Sequence, residues 1–315
     1  MTEAAAAGGG CRHLALLYQD TAEYLAAAQG FVRDGLTRAE PVLVAVPMAT
    51  MAWLRRALPE SDGLSFADMT ELGRNPARVI PLVLAFAARH ARQRVRYLGE
   101  PVWPGRTAAE LRQTARHETL TNTAFAAVPA TLLCAYDAAG LPGPVISEAG
   151  CTHPALLRAD REQRSPGYLP DGQPAAPLSA APAAAAVLAY DRDLRPVRAL
   201  VTAGAQAAGL PPERTTDLVI AVSEVAANTL RHTTSGGTVW LWRDHDEVIC
   251  QLRDTGQITD PLAGSHPPAS DLPDGKGLWL VNQVCDLTEL HTGPAGTTIR
   301  LHMDLPDARR PAAVE

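Results

Sequence analysis

The stretch Ser223-Glu224-Val225-Ala226-Ala227-Asn228-Thr229-Leu230-Arg231-His232 decides how the second half of this chain is read. It closes the run Pro212–His232, where Leu218, Ala221, Val222, Val225 and Leu230 recur at helical spacing and form an apolar face. Glu224, Asn228 and His232 recur at i, i+4 and i+8. At about 100° per residue they share an arc of about 80°, so a carboxylate, an amide oxygen and an imidazole stand in one line. Asparagine is unfavourable inside a helix because its side chain competes for backbone hydrogen bonds. The stripe is therefore either solvated surface or a site, and the helix alone leaves both open.

Working outward, Val187–Tyr190 reads as a short strand and Leu194–Ala208 as a helix before Pro212–His232. Thr238–Arg243 and Glu247–Arg253 read as a hairpin, followed by a proline-rich loop over Gln257–Asp274. A helix from Leu278 and strands at Leu287–Thr292 and Thr297–Met303 complete the block. Helices on one face of a largely antiparallel sheet make an α/β sandwich. Glycines fall at its joints: Asp254-Thr255-Gly256 after the hairpin, Gly275-Lys276-Gly277-Leu278 at a helix start, and Gly296-Thr297-Thr298 at the last strand. Glycines at a helix start let amide N–H groups approach phosphate, favoured by the positive dipole end.

Together and in this order, these segments resemble the GHKL (Bergerat) ATP-binding fold of gyrase, Hsp90, histidine kinases and anti-sigma kinases. The likeness spans about residues 187–303 and is closest to the anti-sigma regulatory factor branch, through the phrases SEVAAN and GLWLVNQVCD. It implies ATP and Mg²⁺ as ligands. Asn228 would ligate Mg²⁺ through its amide oxygen. Asp254, beside Gly256, would read adenine with Thr297 helping through water, while Gly275, Lys276, Gly277 and Leu278 would wrap the phosphates. Glu224 would be the general base, activating water or a protein serine for attack on the γ-phosphate. The implied partners are a sigma factor and a STAS-type anti-anti-sigma protein. Two departures stand out. Ile258 replaces the second glycine of the DxGxG pattern, and the lid Gln257–Asp274 carries no lysine or arginine, leaving Lys276 as the nearest formal cation in sequence. A sensor histidine kinase is not expected, because no histidine lies between His153 and His232 to accept phosphate upstream.

Residues 161–186, REQRSPGYLPDGQPAAPLSAAPAAAA, show recurrent proline and no hydrophobic period, and read as a semi-rigid linker. Before it, strands at Leu14–Tyr18, Val42–Val46, Val95–Leu98 and Thr131–Ala135 alternate with helices at Thr21–Leu36, Thr50–Leu58, Ala77–Gln93 and Ala108–Ala127. Such alternation implies a parallel α/β sheet. Leu17-Tyr18, Gly99-Glu100-Pro101-Val102-Trp103, His117-Glu118, Tyr136-Asp137 and His153-Pro154 resemble the MEDS sensory domain over residues 11–158, which implies a RecA-like parallel α/β fold that senses an unidentified signal. The expected organisation is a disordered 1–10, a sensory domain 11–160, a linker 161–186, a GHKL domain 187–305 and a tail 306–315.

The chain holds 27 arginines and one lysine, Lys276, against 34 acidic residues, a formal charge of −6. That balance disfavours direct nucleic-acid binding, which rests on a basic face. Arg89, Arg92, Arg94 and Arg96 read as a solvated helix end. Five cysteines without CxxC spacing point to reduced thiols and a cytoplasmic protein. Neither a signal peptide nor a membrane span is read, and a homodimer stays open. Having one lysine excludes a Walker loop from the first block. His117, Cys134, Cys151 and His153 are metal-compatible, but Cys151-Thr152-His153 lacks a second pair at ligand spacing, so zinc is not expected. Three functions are weighed. The first is an anti-sigma regulator with serine-kinase activity; the second is a non-catalytic ATP-dependent scaffold. The third is a small-molecule enzyme built on Glu100, Glu118 and Asp137.

Overall fold

The computed structural model describes residues 10–158, 161–173, 176–266 and 276–306. The expected disordered start and tail fall almost wholly outside these residues, as do Gly275 and the second part of the lid, 267–274. The chain divides into two compact units, residues 1–174 and 175–315.

In the first unit the order is β1 (Arg12–Tyr18), α1 (Thr21–Thr37), β2 (Val42–Val46), α2 (Met48–Ala57), β3 (Leu64–Asp68), α3 (Met69–Leu72) and α4 (Val79–Arg89). There follow β4 (Val95–Gly99), α5 (Ala108–Ala124), β5 (Ala130–Asp137), α6 (Gly143–Thr152), β6 (Ala155–Arg158) and β7 (Arg161–Arg164). They build one sheet in the order β3-β2-β4-β5-β1-β6-β7, parallel except for β7. The central strands β2, β4 and β5 are buried along nearly their whole length, because helices cover both faces. The long helices α1 and α5 each open on a side-chain cap. Asp20 accepts from Glu23 N at 2.8 Å, and Thr107 with Glu110 forms a reciprocal capping box that opens α5.

Several expectations shift. The helix expected over Ala77–Gln93 enters through a 3₁₀ turn, Pro76–Arg78, and α4 stops at Arg89. β3, α6, β6 and β7 were not foreseen. β3 is a short edge strand and β7 (REQR) is fully exposed, so neither shows a hydrophobic period. Arg161–Arg164, read as the start of the linker, pairs antiparallel with β6. Arg96 is not solvated. It is buried on β4, bonded to Glu40 and Asp34 and donating to Phe31 O at 2.9 Å.

The second unit runs β8 (Ala186–Tyr190), α7 (Arg195–Ala207), α8 (Pro212–His232), β9 (Gly237–Asp244), β10 (Glu247–Asp254), α9 (Lys276–Val284), β11 (Leu287–Gly293) and β12 (Gly296–Asp304). Its sheet, β11-β12-β10-β9-β8, is antiparallel throughout. The helices lie on one face, so this is the α/β sandwich of the GHKL kind. Leu218, Val222 and Val225 of α8 pack on Val239, Cys250, Leu252 and Leu301. Across the sheet's other face, Arg300 donates to Ser179 O at 2.6 Å, so part of the proline-rich segment lies on the sheet.

Candidate functional site

Four elements converge on one cavity of about 650 Å³ at the end of the second sheet, within the range of small-molecule sites. Asn228 and Thr229 come from α8, Asp254 and Gly256 from the end of β10, Gly277 and Leu278 from α9, and Thr297 from β12. All the described candidate residues except Glu224 and Lys276 border it. Glu224 stands one helical turn behind Asn228, half-buried. Lys276 is the first residue of α9, and its side chain lies outside the described residues, as does Gly275.

Asp254 is held by its neighbours. Its Oδ2 accepts from Thr229 Oγ1 at 2.6 Å and its Oδ1 from Gly256 N at 2.8 Å. Tyr190 donates to Thr229 Oγ1 at 3.2 Å, and burial pushes the tyrosine hydroxyl up to about 12, keeping it a donor. Thr229 thus accepts from Tyr190 and passes its own proton toward the carboxylate. Each carboxylate oxygen retains acceptor capacity for a further donor on the cavity side.

Thr297 is fixed in the same way. It donates to Gly256 O at 2.8 Å, so the Thr292 hydroxyl, 3.0 Å away, donates to it. Thr292 in turn accepts from Ile258 N at 3.1 Å. Ile258 packs against the core and anchors the loop through this bond. Gly296 makes the turn before β12 at φ +108°, and a Cβ there would come within 2.0 Å of Asp254 O. Only glycine brings the hairpin this close to the backbone of Asp254.

The start of α9 meets α8 just as tightly. A Cβ on Gly277 would sit 2.9 Å from Glu224 Oε2 and 3.2 Å from Asn228 Nδ2. The positive end of a helix therefore abuts the Glu224–Asn228 line. Asn228 Oδ1 accepts from Arg231 at 2.9 Å. Arg231 borders the cavity beside His232, so the cavity carries a guanidinium that a scan of the lid and glycine loop alone misses. Arg231 was within the quoted helix phrase, three residues after Asn228. The i, i+3 relation was the available signal.

In the first unit, the carboxyl ends of the strands gather a smaller polar group. Glu100 follows β4 and is buried, with Oε2 lacking a hydrogen-bond partner. Burial pushes its carboxyl up to about 7; a hydrogen bond from Thr50 opposes the shift and Asp137 adds to it. Glu118 lies elsewhere, buried on α5 against His13 and His153, so the three carboxylates proposed for a small-molecule enzyme do not share one site as an acid–base set.

Residues 12–154 match the MEDS family, described as the MEthanogen/methylotroph, DcmR Sensory domain, and residues 187–303 match the Histidine kinase-like ATPase domain. A solved structure, the RsbU and RsbW domains of Rv1364c from Mycobacterium tuberculosis, is 23% identical over 42% of this chain and 34% of that one, with a TM-score of 0.31. This chain therefore spans about a third of that solved chain. The comparison with curated proteins gives no match. Among the described residues, no helix is long and apolar enough to cross a membrane.

Proposed function

We propose that this chain, a MEDS domain joined to a histidine kinase-like ATPase domain, is a cytoplasmic ATP-binding regulator of the anti-sigma type. Residues 11–160 sense a signal and residues 187–305 bind Mg-ATP, sequester a sigma factor and phosphorylate a serine on a STAS-type antagonist. The observation that carries the reading is the convergence of Asn228, Asp254, Gly277 and Thr297 from four elements on one cavity. Asp254 offers the adenine amino group a positioned carboxylate. Asn228 offers Mg²⁺ a hard oxygen once Arg231 swings from it, and the freed guanidinium then faces phosphate. In transfer, Glu224 takes the proton of the serine hydroxyl, whose oxygen bonds to the γ-phosphorus as the bond to ADP breaks.

A second reading, a scaffold that binds ATP without turnover, draws on two observations. Asn228 Oδ1 is engaged by Arg231, and Glu224 stands behind the cavity rather than on its lining. The test is γ-phosphate transfer from Mg-ATP to a serine-bearing STAS protein, with wild type beside Glu224→Ala and Asn228→Ala. Transfer lost in both variants supports the kinase. Nucleotide binding without transfer by wild type selects the scaffold, and absence of binding removes both readings.

A further inference from the structure

Apart from the nucleotide cavity, the first unit brings together four side chains that are far apart in sequence. His13 comes from β1, Glu118 from α5, Cys134 from β5, and His153 from the residue that ends α6. All four are buried, and their ligand atoms lie within 4.8 Å of one another. The parallel register places Ala15 opposite Cys134, so His13, two residues before Ala15, projects on the same face of the sheet as Cys134.

The hydrogen bonds around the cluster settle which ring nitrogens face inward. Asn122 Nδ2 donates to Thr152 O at 2.8 Å, which turns Asn122 Oδ1 toward His13 Nδ1 at 3.0 Å. His13 Nδ1 therefore carries a hydrogen. His153 Nδ1 lies 2.8 Å from Ala149 O, which can only accept, so it carries one too. In neutral rings both Nε2 atoms then present lone pairs, and both point at Glu118 Oε2, at 3.2 and 3.1 Å. Cys134 Sγ lies 3.5 Å from His13 Nε2. Fully buried His153 Nε2 makes no hydrogen bond at all, despite its short distance to the carboxylate. Two ring lone pairs and a carboxylate oxygen converge with the Cys134 thiol as their one donor, an arrangement that is costly in a protein interior unless a positive charge lies among them.

We propose that His13 Nε2, Glu118, Cys134 Sγ and His153 Nε2 form a four-coordinate Zn²⁺ site inside the N-terminal unit. Metal–ligand bonds of about 2.1 Å at tetrahedral angles set neighbouring ligand atoms about 3.4 Å apart. The separations of 3.1, 3.2 and 3.5 Å bracket that value. Two imidazoles with a thiolate suit zinc rather than magnesium or calcium. On binding, the Cys134 thiol loses its proton to solvent, and Zn²⁺ with one thiolate and one carboxylate is a neutral buried unit. The bonds from Asn122 and Ala149 to the two Nδ1–H groups are the outer partners that orient zinc-bound histidines. The ion ties two strands to two helices, adding to the strand pairing and to the bonds that Asn122 makes there.

The test uses the full chain, purified without chelators and then metal-stripped and reloaded with Zn²⁺ or Co²⁺ alone. Elemental analysis should give about one zinc per chain. The cobalt form should show a thiolate-to-metal charge-transfer band and the strong visible absorption of a tetrahedral site. Cys134→Ser should abolish the charge-transfer band, whereas Cys151→Ser, outside the cluster, should keep it. A folded wild-type chain that takes up neither ion overturns the proposal, as does a band that survives Cys134→Ser or is lost in Cys151→Ser. Should Cys134→Ser not fold, the zinc content and cobalt spectrum of wild type decide the question.

Discussion

Changing Glu100 to glutamine is expected to stabilise the N-terminal unit at neutral and alkaline pH. Burial lifts this carboxyl from 4.5 to about 7, aided by Asp137 and opposed by Thr50. Between those values the unfolded chain has released its proton while the native chain still holds it, so the native state binds more protons. Unfolding free energy therefore falls as pH rises from about 4.5 to about 7, then levels off. The interval is about 2.5 units, and at about 1.4 kcal/mol per unit the ionised residue costs about 3 kcal/mol at pH 8. Glutamine carries no charge to desolvate, though a misfit of its amide with Thr50 takes back about 1 kcal/mol. The variant should exceed wild type by about 2 kcal/mol at pH 8 and match or fall below it near pH 4.5. Calorimetry of both full-length proteins from pH 4.5 to 8.5, following the transition of the first unit, reads the difference. Parallel curves, with the same gap at every pH, would refute the account of a carboxyl held neutral by burial.

Other expectations follow from the second unit. Asp254→Asn removes a charge-assisted acceptor worth about 1.5–3 kcal/mol, so calorimetric titration should show ATP affinity down about 10- to 100-fold. Gly277→Val places side-chain atoms on Glu224 and Asn228, and should abolish Mg-ATP binding with little change in melting temperature. An equal loss of both would mean that the contact only holds the helices together. Gly296→Ala forces a Cβ onto the backbone of Asp254 at positive φ, and should lower stability by at least about 1 kcal/mol in urea unfolding. Burial opposes charge on His302, but Glu247 and Glu289 outweigh it and raise its pKa. The stability it adds is fully present below about 6.5 and is lost as pH climbs through the raised value, so His302→Gln should remove that alkaline decline from the unfolding profile.

Local pattern revealed elements with one wet and one dry face, and also the short apolar runs of strands buried on both faces, such as β2. α8 was legible to the residue because its apolar stripe and its Glu224–Asn228 line occupy different sides of one long helix. The hairpin β9–β10 was legible because its strands alternate between core and outer face. Edge strands β3 and β7 were not, since neither shows a usable hydrophobic period and β7 buries nothing. Arg96 misled for the reverse reason. Its charge suggests solvent, but Asp34 and Glu40 neutralise it inside the unit.

By itself, then, the order of residues determined the second sheet, the central strands of the first, the nucleotide motif and the positions of its glycines, because these rest on periodicity and on neighbours within a turn or two. Tertiary structure alone decided that Arg231 holds Asn228, that Tyr190 and Thr229 hold Asp254, and that His13 and Glu118 join Cys134 and His153 while His117 and Cys151 do not. Ligand spacing in sequence detects a metal site only when one short loop supplies the ligands. Here the strands of a parallel sheet and the helices that cross it bring together residues more than a hundred positions apart, as His13 and Glu118 are.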